Sequence, residues 1–243
     1  MASSRPASLA LLFELPLVVF AYFGYFAVRG LTEGSRTEAL ANADTIVRLE
    51  KALYIYWEPA WQDLIIDHRW LVDVFNAIYI YGHWPVIIPA ALWLFFAHRD
   101  AYVTYRNAFF LSGGIGMVLF LMLPVAPPRL ADLGLVDTVT LYSNAYRVLQ
   151  PPAFVNQYAA FPSLHFGWNL LVGVALVSHA RNIFVRAFGV ALPAVMVFAI
   201  VATANHFIVD VVAGAALSMA ALGVSRLAHD ALLRAADART AEA

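Results

Sequence analysis

The chain has 243 residues, 62% of them hydrophobic and only 13% charged, against about 25% charged in an average soluble domain. With a mean hydropathy of +0.72 there are too few charges to cover a globule in water, so the expected solvent is a lipid bilayer. A formal net charge of −1 and the absence of cysteine argue against an electrostatic nucleic-acid partner and exclude disulfides and thiolate metal sites.

Apolar runs long enough to span a bilayer, about 20 residues each, stand at 8–29, 70–97, 107–124, 163–179, 187–204 and 206–228. The expected fold class is all-α, a polytopic membrane helical bundle of about six transmembrane helices in a single integral-membrane domain, 1–243. The first run follows Arg5 as a signal peptide would. Its apolar stretch is too long for one and the small-residue sites near Ala41 lie too far beyond it, so it reads as a retained anchor. Between the first two spans, 30–69 reads as an interfacial amphipathic segment. Ile46, Val47, Leu49, Leu53, Tyr56 and Trp57 recur there at helical spacing among charges, and Pro59 starts a second short helix. From Pro124 to Phe161 five prolines break any period, which predicts an ordered extracytoplasmic loop over 125–162. Its Asp137, Tyr142, Arg147, Asn156 and Gln157 are expected to shape a head-group pocket. The Ala-rich, charged residues 229–243 read as a disordered tail.

An even number of spans puts both termini on one side. The inner segments then hold Arg5, Arg99, Arg106, Arg181, Arg186, Arg226, Arg234 and Arg239, while the outer connections hold fewer basic residues over more chain. Basic density therefore predicts a multi-pass protein of the cell membrane with both termini cytoplasmic. On that topology the Arg129 loop, the start of the run 163–179 and the junction at Asn205 share the extracytoplasmic face.

Each of those places carries polar groups. In "APPRLA", Arg129 is either an interfacial arginine snorkelling to water or a planar fork for a phosphate or carboxylate. In "AAFPSLHFGW", Pro162 fits the first turn of a helix and Ser163 its start, an ordinary helix N-terminus. The same end offers backbone N–H groups around Leu164 and a positive dipole, which favour an anion, with His165 at its edge. In "ANHFIVDVVAG", His206 and Asp210 are four apart, so on a helix they share a face and can hydrogen-bond. A carboxylate on one imidazole nitrogen fixes the tautomer and leaves the other as base or nucleophile, although a purely structural pair fits the spacing too. His83 in "YIYGHWP" and Glu14 in "FELP" are also ionisable groups within apolar runs, and both read first as buried structural partners, His83 being the better functional candidate. Arg106, at the inner end of its span, reads as a topology charge. The clusters together supply a nucleophile, an acid and an anion cradle, the parts of phosphoryl transfer. With one carboxylate among them, no metal and no cofactor is expected. A non-enzymatic b-type haem membrane protein, with paired imidazole ligands, is the alternative from another class.

In order, "APPRL", "FPSLH" and "NHFIVDVVAG" resemble the type 2 phosphatidic acid phosphatase superfamily, and most of all its inositolphosphotransferase branch, over roughly residues 70–225. The resemblance implies an integral-membrane enzyme acting on lipid phosphate esters, as lipid phosphatase or head-group phosphotransferase. His206 would attack phosphorus and become the phosphohistidine, Asp210 would orient it, and His165 would protonate the departing oxygen. Arg129, Ser163, the amides near Leu164, Asn205 and His83 would serve substrate binding. The implied partners are a lipid phosphate, the bilayer and an alcohol acceptor. Where the broader superfamily has a Lys, a Gly and an Arg, this chain has Met122, Leu164 and Ile200. Two of three phosphate-binding cations are thus absent, which sets the chain apart from ordinary phosphatidate phosphatases and leaves an inactive scaffold of the same fold as a further reading.

Overall fold

A computed structural model describes residues 14–19, 23–24, 35–143 and 156–241. Among these, regular structure is helical apart from one isolated bridge between Val125 and Ala159. Helix α1, Arg36–Ala52, buries Ala39, Ala43, Ile46, Val47 and Glu50, one face at helical spacing. That face does more than lie in an interface: it packs on Val125, Ala126, Ala160 and Phe207. Helix α2, Glu58–Ile66, begins with a proline in its first turn, as Pro59 predicts.

The apolar run 70–97 is two helices, α3 (Arg69–Tyr81) and α4 (Trp84–Ala97), bent by 42° at their junction. Pro85 in the first turn of α4 has no N–H to continue the ladder of α3. Then come α5 (Arg99–Met122), the short α6 (Thr138–Tyr142), α7 (Leu164–His179), α8 (Ile183–Ala202) and α9 (Ile208–Ala241). Helices α5, α8 and α9 are long and apolar enough to cross a membrane, and the bent α3–α4 pair makes a fourth if taken as one span. Helix α7 is apolar but has 16 residues, a rise of about 24 Å against a hydrocarbon core of about 30 Å. Of the run 8–29, only 14–19 and 23–24 lie among the described residues, where they are helical. Over 229–241, where a disordered tail is expected, α9 continues instead to Ala241. Alanine, leucine and arginine are strong helix formers, and a formed helix is extended more easily than a new one is nucleated.

Helix α7 is the hub, packed on α8, α9 and α5. Glycines set how closely it is approached. A Cβ on Gly173 would meet Gly189 O on α8, and one on Gly167 would meet Gly214 O on α9 at 2.6 Å. Small residues at such crossings let membrane helices gain dispersion contact where no hydrophobic force separates lipid from protein. Around them Leu164, Trp168, Leu171, Val172 and Leu176 pack with Leu192 and Leu222. At the far end of α5, Glu14 accepts from Arg106 (2.5 and 2.6 Å), Arg99 (3.2 Å) and Tyr102 (3.3 Å). Glu14 is thus a half-buried structural partner, and Arg106 is a tertiary contact besides a topology charge.

Candidate active site

Two helix starts meet at the site. Ser163 is the N-cap of α7, its Oγ accepting from Phe166 N–H at 3.3 Å, and Pro162 lies just ahead of the cap instead of in the first turn. The first N–H groups of a helix point out of its end, and those of α7 begin at Leu164. The Leu164 side chain turns away into the core, where its Cδ1 lies 3.0 Å from the place a Cβ on Gly116 would take. Its contribution to an anion site is therefore its backbone. Ser163 N–H donates to Asp210 O at 2.9 Å, tying the start of α7 to α9.

The turn between α8 and α9 delivers the second histidine. Ala204 takes a left-handed φ of 56°, and Asn205 and His206 N–H both donate to Ile200 O, at 2.9 and 3.1 Å. His206 is 5% exposed and Asp210 fully buried. Nδ1 of His206 lies 2.9 Å from Ala160 O and 3.4 Å from Asp210 Oδ2. A backbone carbonyl can only accept, so Nδ1 carries a proton, and in the neutral ring Nε2 then presents its lone pair. The spacing of His206 and Asp210 predicts their contact. It does not predict that a carbonyl 46 residues away in sequence makes the shorter bond. Asp210 Oδ2 also accepts from Phe207 N–H at 2.8 Å, so the carboxylate caps its own helix.

The His165 ring lies 6.1 Å from the His206 ring, centre to centre. It is held between Tyr79 at 4.9 Å and His83 at 4.2 Å, both stacked, and His83 in turn stacks on Trp168 at 5.7 Å. Asn169 Nδ2 donates to His165 O at 2.8 Å and lies 3.3 Å from His83 Nδ1. His83, 5% exposed, thus lies against a ring face of His165, which suits orienting that ring better than meeting substrate.

Arg129 arrives from the loop. Its N–H donates to Ala204 O at 2.9 Å, its Nε to Asn205 Oδ1 at 2.9 Å and its Nη1 to Asp137 Oδ2 at 3.3 Å. Asn205 is therefore a bracket for the guanidinium. The loop is pinned by Gln62, which bonds both N–H and O of Val136, and by Asn76, which bonds Thr138. Ile200 and Met122 supply no cation: Ile200 is fully buried in apolar contacts and Met122 is exposed at the end of α5. Of the loop residues expected to shape a pocket, Arg147 lies outside the described residues, and Asn156 turns inward to accept from Tyr158 N–H at 2.9 Å.

Two carboxylates at the site are absent from the sequence reading. Glu58 Oε1 accepts from Ile208 N–H at 2.9 Å, and Glu50 Oε1 from Val209 N–H at 2.7 Å, in the first turn of α9. Both are fully buried. Glu50 sits in the Ala39–Ala43–Ile46–Val47 stripe, and an acidic residue inside an apolar stripe is the signal that finds it.

A family model described as the PAP2 superfamily matches residues 44–224, a stretch that holds every group just described. No curated protein matches the chain. Among solved structures, LpxE of Aquifex aeolicus is similar at 19% identity with a TM-score of 0.49, over 65% of this chain and 86% of that one.

Proposed function

The chain belongs to the PAP2 superfamily, and from that premise we propose a membrane enzyme that breaks a P–O bond of a lipid phosphate ester through a phosphohistidine. The observation that carries this reading is the His206 ring. Its Nδ1 is bonded to Ala160 O, its Nε2 is left nucleophilic, and a second histidine and a helix start stand beside it. Nε2 attacks phosphorus as the ester oxygen leaves, and His165 supplies that oxygen with a proton. Positive charge then develops on the His206 ring, and buried Asp210 offsets it. Arg129 and the first amides of α7 hold the phosphate oxygens. Water or an alcohol attacks the phosphohistidine in the second step, with His165 taking its proton. Arg129 is the one cation brought to the cradle among the described residues, which suits a phosphodiester, with its lower charge, and so favours head-group transfer. Incubation with lipid phosphomonoesters and phosphodiesters, with and without polyol acceptors, followed by mass spectrometry of the products, tests this. No product from any lipid phosphate would overturn it.

The reaction needs no divalent cation on this reading, because Asp210 is engaged by Phe207 N–H and His206. Turnover is therefore expected to survive EDTA, and loss restored by Mg²⁺ would refute that part. The site is proposed to face outward, with both termini cytoplasmic, on the basic density of the inner segments. The natural chain has no cysteine, so Asp132→Cys, at an exposed loop position, is expected to react with an impermeant maleimide on intact cells. Labelling only after lysis would invert the topology.

A further inference from the structure

Glu50 and Glu58 are two acids that the proposed chemistry does not use, yet they are among the most buried side chains of the molecule. They come from different helices and converge on one spot. Each gives one oxygen to the first turn of α9, and the other oxygen of each, Oε2, is buried with no hydrogen-bond donor. Because they bond the adjacent N–H groups of Ile208 and Val209, the two carboxyls stand side by side. Two ionised carboxylates so placed would leave two buried acceptors without a donor beside a second negative charge, at a large cost. One proton between them resolves this. Burial first of all, and then the neighbouring Glu58 charge, push Glu50 up to about 9, and burial pushes Glu58 up as well.

We propose that Glu50 and Glu58 are a positioning pair that shares one proton and clamps the first turn of α9, holding His206 and Asp210 in line and placing one negative charge behind them. The inference rests on the reading of His206 as nucleophile. With Asp210 on Phe207, the pair completes a set in which three successive N–H groups, Phe207, Ile208 and Val209, each meet a carboxylate. A helix start this negative is adapted to a cation forming nearby, and the phosphorylated imidazole is that cation. The acidic groups facing the pair are Asp210 from α9 and Tyr56 from the α1–α2 turn, and Lys51 lies over the Tyr56 ring at 5.1 Å.

The test compares Glu50→Gln, Glu58→Gln, Glu50→Ala and the double glutamine variant in the full-length protein. Glutamine keeps the acceptor for the helix N–H and offers its amide to the remaining carboxylate, so each single glutamine variant is expected to keep most of kcat. Glu50→Ala leaves Val209 N–H buried and unpaired, and kcat is expected to fall at least about tenfold with KM little changed. The double glutamine variant keeps both acceptors but no charge, and is expected to lose kcat with amide exchange at Ile208 and Val209 still slow. Infrared difference spectra should show one protonated carboxyl at pH 7 in the natural protein that disappears in either single glutamine variant. That infrared result needs no turnover, so it stands or falls apart from the assignment of function. No such carboxyl, or Glu50→Gln as damaging to kcat as Glu50→Ala, would overturn the pair.

Discussion

Replacing His206 by alanine is expected to abolish turnover of every phosphate ester the protein accepts, whereas replacing His165 costs the first step only as far as the leaving group needs a proton. The difference follows from the proposed roles. His206 Nε2 is the atom that bonds to phosphorus, and its orientation rests on Ala160 O and Asp210. Without it there is no covalent intermediate, whatever departs. His165 stands 6.1 Å away between two stacked rings, a place suited to delivering a proton. General acid catalysis contributes about 10²–10⁴-fold, so His165→Ala should lose that much on a lipid substrate, whose alkoxide leaves poorly. In the first step, read as the initial burst of p-nitrophenolate, a p-nitrophenyl ester, whose phenolate leaves nearly unaided, should lose far less. Because His165 also deprotonates the incoming water or alcohol, the phosphohistidine should accumulate in His165→Ala and be trapped by an alkaline quench, in which the P–N bond survives. Equal losses on both esters in that first step, or residual turnover by His206→Ala, would refute the division of roles.

Gly214→Ala is expected to do comparable damage without touching a reacting group. A Cβ there would run into Ser163 O and lie 2.9 Å from Ser163 C and 3.2 Å from Ser163 N, all backbone atoms of the α7 cap. No side-chain rotamer can relieve such a contact, so the start of α7 must move off α9. Overpacking costs typically about 1–3 kcal/mol, and the displaced segment carries Ser163, the cradle amides and His165. A shift of about 1 Å at a reacting centre can cost about 10²-fold in rate. A lower melting temperature and a loss of kcat of that order are the expected readings. Gly223, on the same helix, has nothing within 4 Å of a Cβ. Gly223→Ala should therefore be neutral or stabilising, by up to about 0.5–1 kcal/mol. Equal behaviour of the two variants would mean that the α7–α9 crossing is looser than the structure has it.

Both expectations depend on contacts between segments far apart in the chain, and they show where sequence reasoning reaches its limit. The helical class, the apolar runs and the grouping of Arg129, Ser163, His165, His206 and Asp210 follow from the sequence, because each is written in local terms. Apolar length predicts a span, a proline–serine pair a helix start, and a four-residue interval a shared helix face. Family membership follows in the same way, from motifs read in order. The single run 70–97 proves to be two helices because a proline near its middle leaves the ladder broken, and periodicity alone does not measure the bend.

What local terms do not contain is the partner across the fold. The acceptor for His206 Nδ1 is a backbone carbonyl, invisible in any residue pattern. His83 faces His165 only because α3 and α4 bend at Gly82–His83 and bring the ring against α7. Glu50 and Glu58 lie in the segment 30–69 expected at the interface, where a carboxylate ordinarily seeks water. The tertiary structure reverses that by offering them the unpaired N–H groups and positive end of α9, a compensation that exists only once α1 and α2 have closed over it. Local patterns along the chain say which groups are present and which helices carry them. The fold alone says which nitrogen of His206 is bonded to Ala160 O and which acids meet the first turn of α9, because hydrogen bonds are made between atoms in space and not between positions in a chain.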